Sequence, residues 1–160
     1  MSILILTEGN LTPFCSRTQI TYTFDMVKQS RRLNIDFFYQ PKTLEDREKS
    51  RELITKCLME FAPEDGEKMA ENWERYRPVC NLLTISADDS MGFRGCAHRH
   101  PQKQHLFIGD DSASPGFIPG EITRGLWKVT VSVHAVVTEN CHYKLCVWEG
   151  DRKDDEMDTL

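Results

Sequence analysis

The densest run of reactive side chains in the chain is GFRGCAHRHPQKQH, which carries Arg94, Cys96, His98, Arg99, His100, Lys103 and His105 within twelve residues. His98 and His100 form an H-x-H pair. In an extended segment residues i and i+2 point to the same side, so the two imidazoles could share a metal ion with Cys96 or His105 as a third ligand. No fourth ligand stands at the spacing of a zinc site, and Arg94, Arg99 and Lys103 are unfavourable neighbours for a dication. The same residues suit an anion or polar-ligand site better. Arg94 and Arg99 offer planar donor forks, Lys103 adds charge, and His98, His100 and His105 complete the island. The rival reading is that Arg94 or His98 pins the loop by bonding backbone carbonyls, and the sequence leaves both open.

Other candidates reduce to ordinary structure. Ser112 and Ser114 lack a G-x-S-x-G frame, and Pro115-Gly116 and Pro119-Gly120 read as two tight turns. Glu121 and the Asp110-Asp111 pair read as solvated carboxylates, and His134 as partly exposed or internally satisfied. P-loop, GxGxxG, HExxH and EF-hand patterns are absent from the sequence. No residue is assigned a catalytic role and no cofactor is expected.

The elements that must position the island follow from hydrophobic period. QITYTFDM alternates Ile20, Tyr22, Phe24 and Met26 against polar residues, and LNIDFFYQP places Leu33, Ile35 and Phe37 on one face, so the two read as neighbouring strands of a hairpin. The period then changes. Leu53, Ile54, Cys57, Leu58 and Phe61 fall at helical spacing, with Thr43 as a candidate N-cap, which predicts a helix over 44–61 docked by its last two turns. A short helix over 67–76 completes a helical excursion over 44–77. NLLTISADD, QHLFIG, LWKVTVSVHAVV and HYKLCVWEG return to strand, the last two as a closing hairpin. In LWKVTVSVHAVV, Trp127, Val129, Val131 and Val133 face one way, and Lys128, Thr130, Ser132 and His134 the other. Six or seven strands without strand-helix-strand alternation predict a mainly β, antiparallel, jelly-roll-like sandwich with a helical insertion. It is read as one domain over 1–150, followed by a charged tail over 151–160.

Composition restricts the function classes. The chain has 160 residues, 20 Lys+Arg against 25 Asp+Glu and a net charge of −5, which argues against a nucleic-acid binder. No stretch is long and apolar enough for a membrane span, and the N-terminus has no secretory pattern. Six cysteines without a CxxC read as reduced thiols in a cytoplasmic protein, with Cys57 and Cys146 as small core hydrophobes.

The order NLLTISADD, GFRGCAHRH, QHLFIG, SASPGFIPGEITRGLWKVTVSVHAVV and CHYKLCVW resembles the N-terminal β-sandwich domain of bacterial metal-dependent phosphoesterases of the polymerase-and-histidinol-phosphatase (PHP) superfamily. The resemblance covers residues 20–149 and is strongest in the second half. In that architecture the metal site belongs to a separate downstream domain that opens with its own H-x-H. The resemblance therefore implies a noncatalytic accessory module, whose partners are a PHP-type catalytic domain, a neighbouring polypeptide or a second copy. It also implies that GFRG and PGF-IPG are at least partly fold-making turns. The alternatives are an independent metal-dependent hydrolase built on His98 and His100, and a carbohydrate-binding sandwich.

Overall fold

A computed structural model describes residues 2–150. Eight strands are present: β1 (Ser2–Leu11), β2 (Thr18–Met26), β3 (Arg32–Gln40), β4 (Leu82–Asp89), β5 (Gly92–Cys96), β6 (Lys103–Gly109), β7 (Gly125–Ala135) and β8 (Cys141–Glu149). One sheet has the order β1-β8-β3-β6 and the other β2-β7-β4-β5, and every pairing is antiparallel. The order is that of a jelly roll, in which the chain passes from one sheet to the other at nearly every step.

The topology corrects two pairings expected from the sequence. Strands β2 and β3 lie in opposite sheets, as do β7 and β8, so neither pair is a hairpin; β4 and β5 are the consecutive strands that do pair. The alternation itself is as expected. Trp127, Val129, Val131 and Val133 meet Leu33, Ile35, Phe37, Leu145 and Val147 in a core with almost no solvent contact. An interior packed this way is set by the period-2 pattern, which registers each strand without specifying which neighbour it takes. Two strands were not read from the sequence: β1, whose SILILTEGNL pairs along β8, and β5, which lies inside the segment read as irregular.

Between β3 and β4 come α1 (Arg47–Phe61), α2 (Gly66–Ala70) and a 3-10 turn at Trp73–Tyr76. The N-cap of α1 is Asp46, whose carboxylate accepts from the Lys49 amide at 3.0 Å, and Thr43 instead forms a bridge with Cys80. Docking of α1 also differs from the expectation. Ser50 and Ile54 are its buried residues, whereas Cys57 is exposed and Phe61 is 69% exposed. The helix packs on α2 and the Trp73 turn, where a Cβ on Gly66 would lie 2.7 Å from the Leu58 carbonyl oxygen, so its apolar residues serve the excursion and not the sandwich core. Fully buried Asn81 ties the returning chain down. Its Nδ2 donates to the Pro41 carbonyl and to Thr138 Oγ1, both at 2.8 Å, and its Oδ1 accepts from the Val137 amide at 2.7 Å.

The sandwich has two ends. One, the exit end, holds the start of β1, the β2–β3 and β4–β5 turns, the 110–124 loop and Gly150, whose amide bonds the Arg32 carbonyl. The other holds the helical excursion, the 97–102 link and the 136–140 turn. No helix among the described residues is long and apolar enough to cross a membrane.

Candidate functional site

The side chains that stand together in GFRGCAHRHPQKQH go to three different places. Arg94 leaves β5 toward the exit end and is 8% exposed. Its Nε and Nη2 donate to the Ile118 carbonyl, Nη2 also to Gly120 at 3.0 Å, and Nη1 to Glu121 at 3.1 Å and to Asp89 Oδ2 at 2.7 Å. These bonds occupy the guanidinium's whole donor set, and its carbon lies 5.2 Å from the centre of the Trp127 ring. Arg94 therefore has no donor to offer an external anion, and of the two readings left open the internal clip is the one the geometry supports. Burial alone would raise the Asp89 carboxyl. The bond from Arg94, the amides of Met91 and Gly92 and the guanidinium charge outweigh it and hold Asp89 below its ordinary value.

The clip fixes a crossing of two backbones. The Cys96 amide donates to the Gly116 carbonyl at 3.0 Å and the Ile118 amide to the Arg94 carbonyl at 2.9 Å. A Cβ on Gly116 would lie 2.0 Å from the Cys96 carbonyl oxygen, and one on Gly95 would lie 2.3 Å from that of Gly116; both glycines also have φ near +100°. Ser114 locks the same loop to β6, its Oγ accepting from the Phe107 amide at 2.9 Å. The paired glycines of GFRG and SPGF are thus needed for close approach.

Beside exposed Ser90, Glu121 and Arg124, this frame presents large apolar side chains to solvent. Met91 is 84% exposed, Phe93 58% and Ile118 52%, on the β4–β5 turn, β5 and the loop bonded to it. Leu126 and Val27, on neighbouring strand ends of the same rim, are exposed as well. Sequence reading missed this corner because its residues fall in segments rich in Gly, Pro and charge. The visible signal was two large apolar side chains, Met91 and Phe93, flanking a turn glycine.

His98, Arg99 and His100 lie at the opposite end, in the link between β5 and β6, and Lys103 opens β6; His98, Arg99 and Lys103 are exposed. There Lys42, from the chain leaving β3, is held by three oxygens. Its ammonium donates to the Tyr39 hydroxyl, to the His100 carbonyl at 2.9 Å and to the Asn81 carbonyl at 3.2 Å. His100 Nδ1 is buried and has no hydrogen-bond partner among the described residues. Burial, followed by the nearby charges of Lys42, His134 and His98, outweighs a backbone hydrogen bond at Arg99 and holds the His100 imidazole below its ordinary value. Exposed His134 shares a 2.8 Å hydrogen bond with Thr84 Oγ1, in keeping with its sequence reading.

His105 belongs to a third place, the outer face of the first sheet. Its Nδ1 bonds Asp36 Oδ1, and Asp36 Oδ2 accepts from Trp148 Nε1 at 2.7 Å. The proposed metal set of Cys96, His98, His100 and His105 is therefore not assembled, because β5 and β6 carry its ends to different sheets. Among the described residues no group of three or more His, Cys, Asp or Glu side chains is placed to hold a metal ion.

The chain matches no family model and no curated protein. Among solved structures it is similar to the crystal structure of a protein from Sulfurospirillum deleyianum, with 10% identity over 92% of this chain and 99% of that one and a TM-score of 0.32. The jelly-roll assignment rests on the strand order itself.

Proposed function

We propose that this chain is a noncatalytic jelly-roll module, cytoplasmic and bacterial, that docks onto a PHP-type metal-dependent phosphoesterase domain through its exit end. The observation that carries the reading is the exposed apolar corner of Met91, Phe93 and Ile118, held in place by a buried, fully bonded arginine. Exposed apolar side chains on a rigid frame are what a docking surface requires, since ordering entropy has already been lost before the partner arrives. Six free cysteines support the cytoplasmic assignment.

Calorimetric titration of a separately produced PHP-type catalytic domain with wild type and with a Met91→Ser, Phe93→Ser variant tests the proposal. Saturable binding that weakens by about tenfold or more in the variant supports it, the loss expected for removing central apolar anchors. Equal binding by both proteins, or none by wild type, refutes it. Concentration-dependent self-association abolished by the same substitutions would assign the corner to a second copy and refute the phosphoesterase partner.

A further inference from the structure

Helix α1 turns Ser50 and Ile54 inward and packs on α2 and the Trp73 turn, which leaves its opposite side in solvent. Along that side Lys49, Glu52, Lys56 and Glu60 recur at steps of three, four and four residues, so they share one stripe, and all four are exposed. Their signs alternate from the N-terminal end of the helix: plus, minus, plus, minus. Among the described residues none of the four forms an ion pair. Glu48 and Arg51, of opposite sign, lie outside the stripe.

Beside the stripe stand an apolar knob and a recess. Phe14, on the short turn Pro13–Cys15 between β1 and β2, is 97% exposed, more than any other large apolar side chain among the described residues. It stands at the rim of a groove of about 500 Å³, whose walls include Lys49, Glu52 and Leu53 of α1 and Val137 and Glu139 of the turn before β8. The charge order decides what such a surface fits. Read backwards, plus, minus, plus, minus becomes minus, plus, minus, plus, so two antiparallel copies of the row set every lysine against a glutamate, whereas parallel copies would oppose like charges. An antiparallel pair of identical helices is related by a twofold axis, and a twofold contact joins one patch to the same patch, so knob and recess must lie side by side, as Phe14 and the groove do.

We propose that the chain forms a twofold dimer through α1 packed antiparallel on α1 of a second copy. Lys49 then pairs with Glu60 of the second copy and Glu52 with its Lys56, each pair occurring twice, and each Phe14 is seated in the groove of the other copy. The phenyl rings supply the affinity, while exposed ion pairs are individually weak and set register. One helix pair and one ring from each copy make a small contact, so the dimer is reversible and micromolar. The proposal is independent of the docking reading, because α1 and the corner of Met91, Phe93 and Ile118 occupy opposite ends of the sandwich.

Sedimentation equilibrium of the full chain provides the test. Wild type should dimerise reversibly, and Phe14→Ser should weaken the dimer by about tenfold or more, the loss expected for a central anchor. Lys49→Glu sets a glutamate against Glu60 and Glu60→Lys sets a lysine against Lys49, twice per dimer, so each alone should weaken dimerisation by about fivefold. The variant carrying both substitutions restores opposite charges and should dimerise as wild type does. Within one helix the two positions lie about 16 Å apart along the axis, too far to compensate one another, so restoration reports contact between copies. Neither reversal weakens the helix itself, since each puts an acid in the first turn or a base in the last. The Met91→Ser, Phe93→Ser variant should dimerise as wild type does, which separates this contact from the docking corner. A chain still monomeric at about 1 mM, a dimer indifferent to both single reversals, a double variant as weak as either single one, or a dimer lost with Met91 and Phe93 would overturn the proposal.

Discussion

Replacing Arg94 by Met keeps the length of an apolar stem and removes the fork, and its cost can be worked from the neighbours left behind. Asp89 has a side chain only 3% exposed, so the substitution strands a carboxylate that has lost its cation. Breaking one side of a buried pair costs about 3–5 kcal/mol. Two amides, Met91 at 2.7 Å and Gly92 at 3.0 Å, still hold Asp89 Oδ1, which places the expectation at the lower end. The carbonyls of Ile118, Gly120 and Glu121 also lose a donor, but they lie on a surface loop that water can reach. The sum is a loss of about 3–4 kcal/mol, or about 10 °C in Tm for a domain of this size. The loss should depend on pH. In wild type the Asp89 value is depressed, so its stabilisation is present above the unfolded value near 4 and disappears as pH falls through the folded value. In the variant burial acts against far weaker opposition and moves Asp89 upward, which destabilises at neutral pH and is relieved by protonation. The gap between the two proteins should therefore narrow steadily from pH 7 to pH 4. Urea unfolding followed by tryptophan fluorescence measures it, with Arg99→Met as an exposed control expected within about 0.5 kcal/mol of wild type. A loss under about 1 kcal/mol, or a gap equal at pH 4 and pH 7, would refute the assignment of Arg94 as the clip.

Two further outcomes are expected from the same geometry. Gly116→Ala should cost more than Gly92→Ala in the same unfolding assay. Both positions have a positive φ, +95° at Gly116 and +132° at Gly92, which costs an alanine about 1–3 kcal/mol, but only Gly116 has a carbonyl oxygen 2.0 Å from the new Cβ, whereas Gly92 has open space; equal losses would contradict the backbone crossing. Thiol titration with a disulfide reagent at pH 8 should label exposed Cys57 first. Cys141, pushed up by burial to about 11, and Cys146, raised by burial and by the charge of Asp36, should react only on unfolding, and native labelling of all six at one rate would refute their burial.

Much of the fold was legible because jelly-roll strands bury one face and the period-2 pattern records it. Trp127, Val129, Val131 and Val133 were assigned inward from spacing alone and are inward. Pairing was not legible, since alternation says which face a residue takes and nothing about its neighbour; β2 with β3 looked like a hairpin only because they are adjacent in the chain. The helix illustrates a different failure. Leu53, Cys57 and Phe61 have correct helical spacing, yet the core they were expected to meet is already filled by two sheets, so α1 rests on α2 and leaves Phe61 and Cys57 in solvent. Conversely β1 was overlooked because SILILTEGNL shows no clean alternation, a result of the register shift between Ile3 and Ile5 where it pairs with β8.

The candidate site failed to stay whole for a reason that is also geometric. A strand advances about 3.3 Å per residue, so four residues of extended chain separate Arg94 from His98 by roughly 13 Å before the arginine side chain reaches back toward the exit end. Linear proximity in a β-rich chain is therefore evidence of distance, and a cluster that spans a strand and the link beyond it divides between the two ends of the sandwich. The division gives each half a separate meaning. The arginine that enters the fold finds Asp89 and three carbonyls and becomes structure, which fixes the loop that carries Ile118 against β5. His98, Arg99, His100 and Lys103 stay outside that clip and form no ion pair among the described residues. Substitution of Arg94 therefore reports on folding and not on ligand binding.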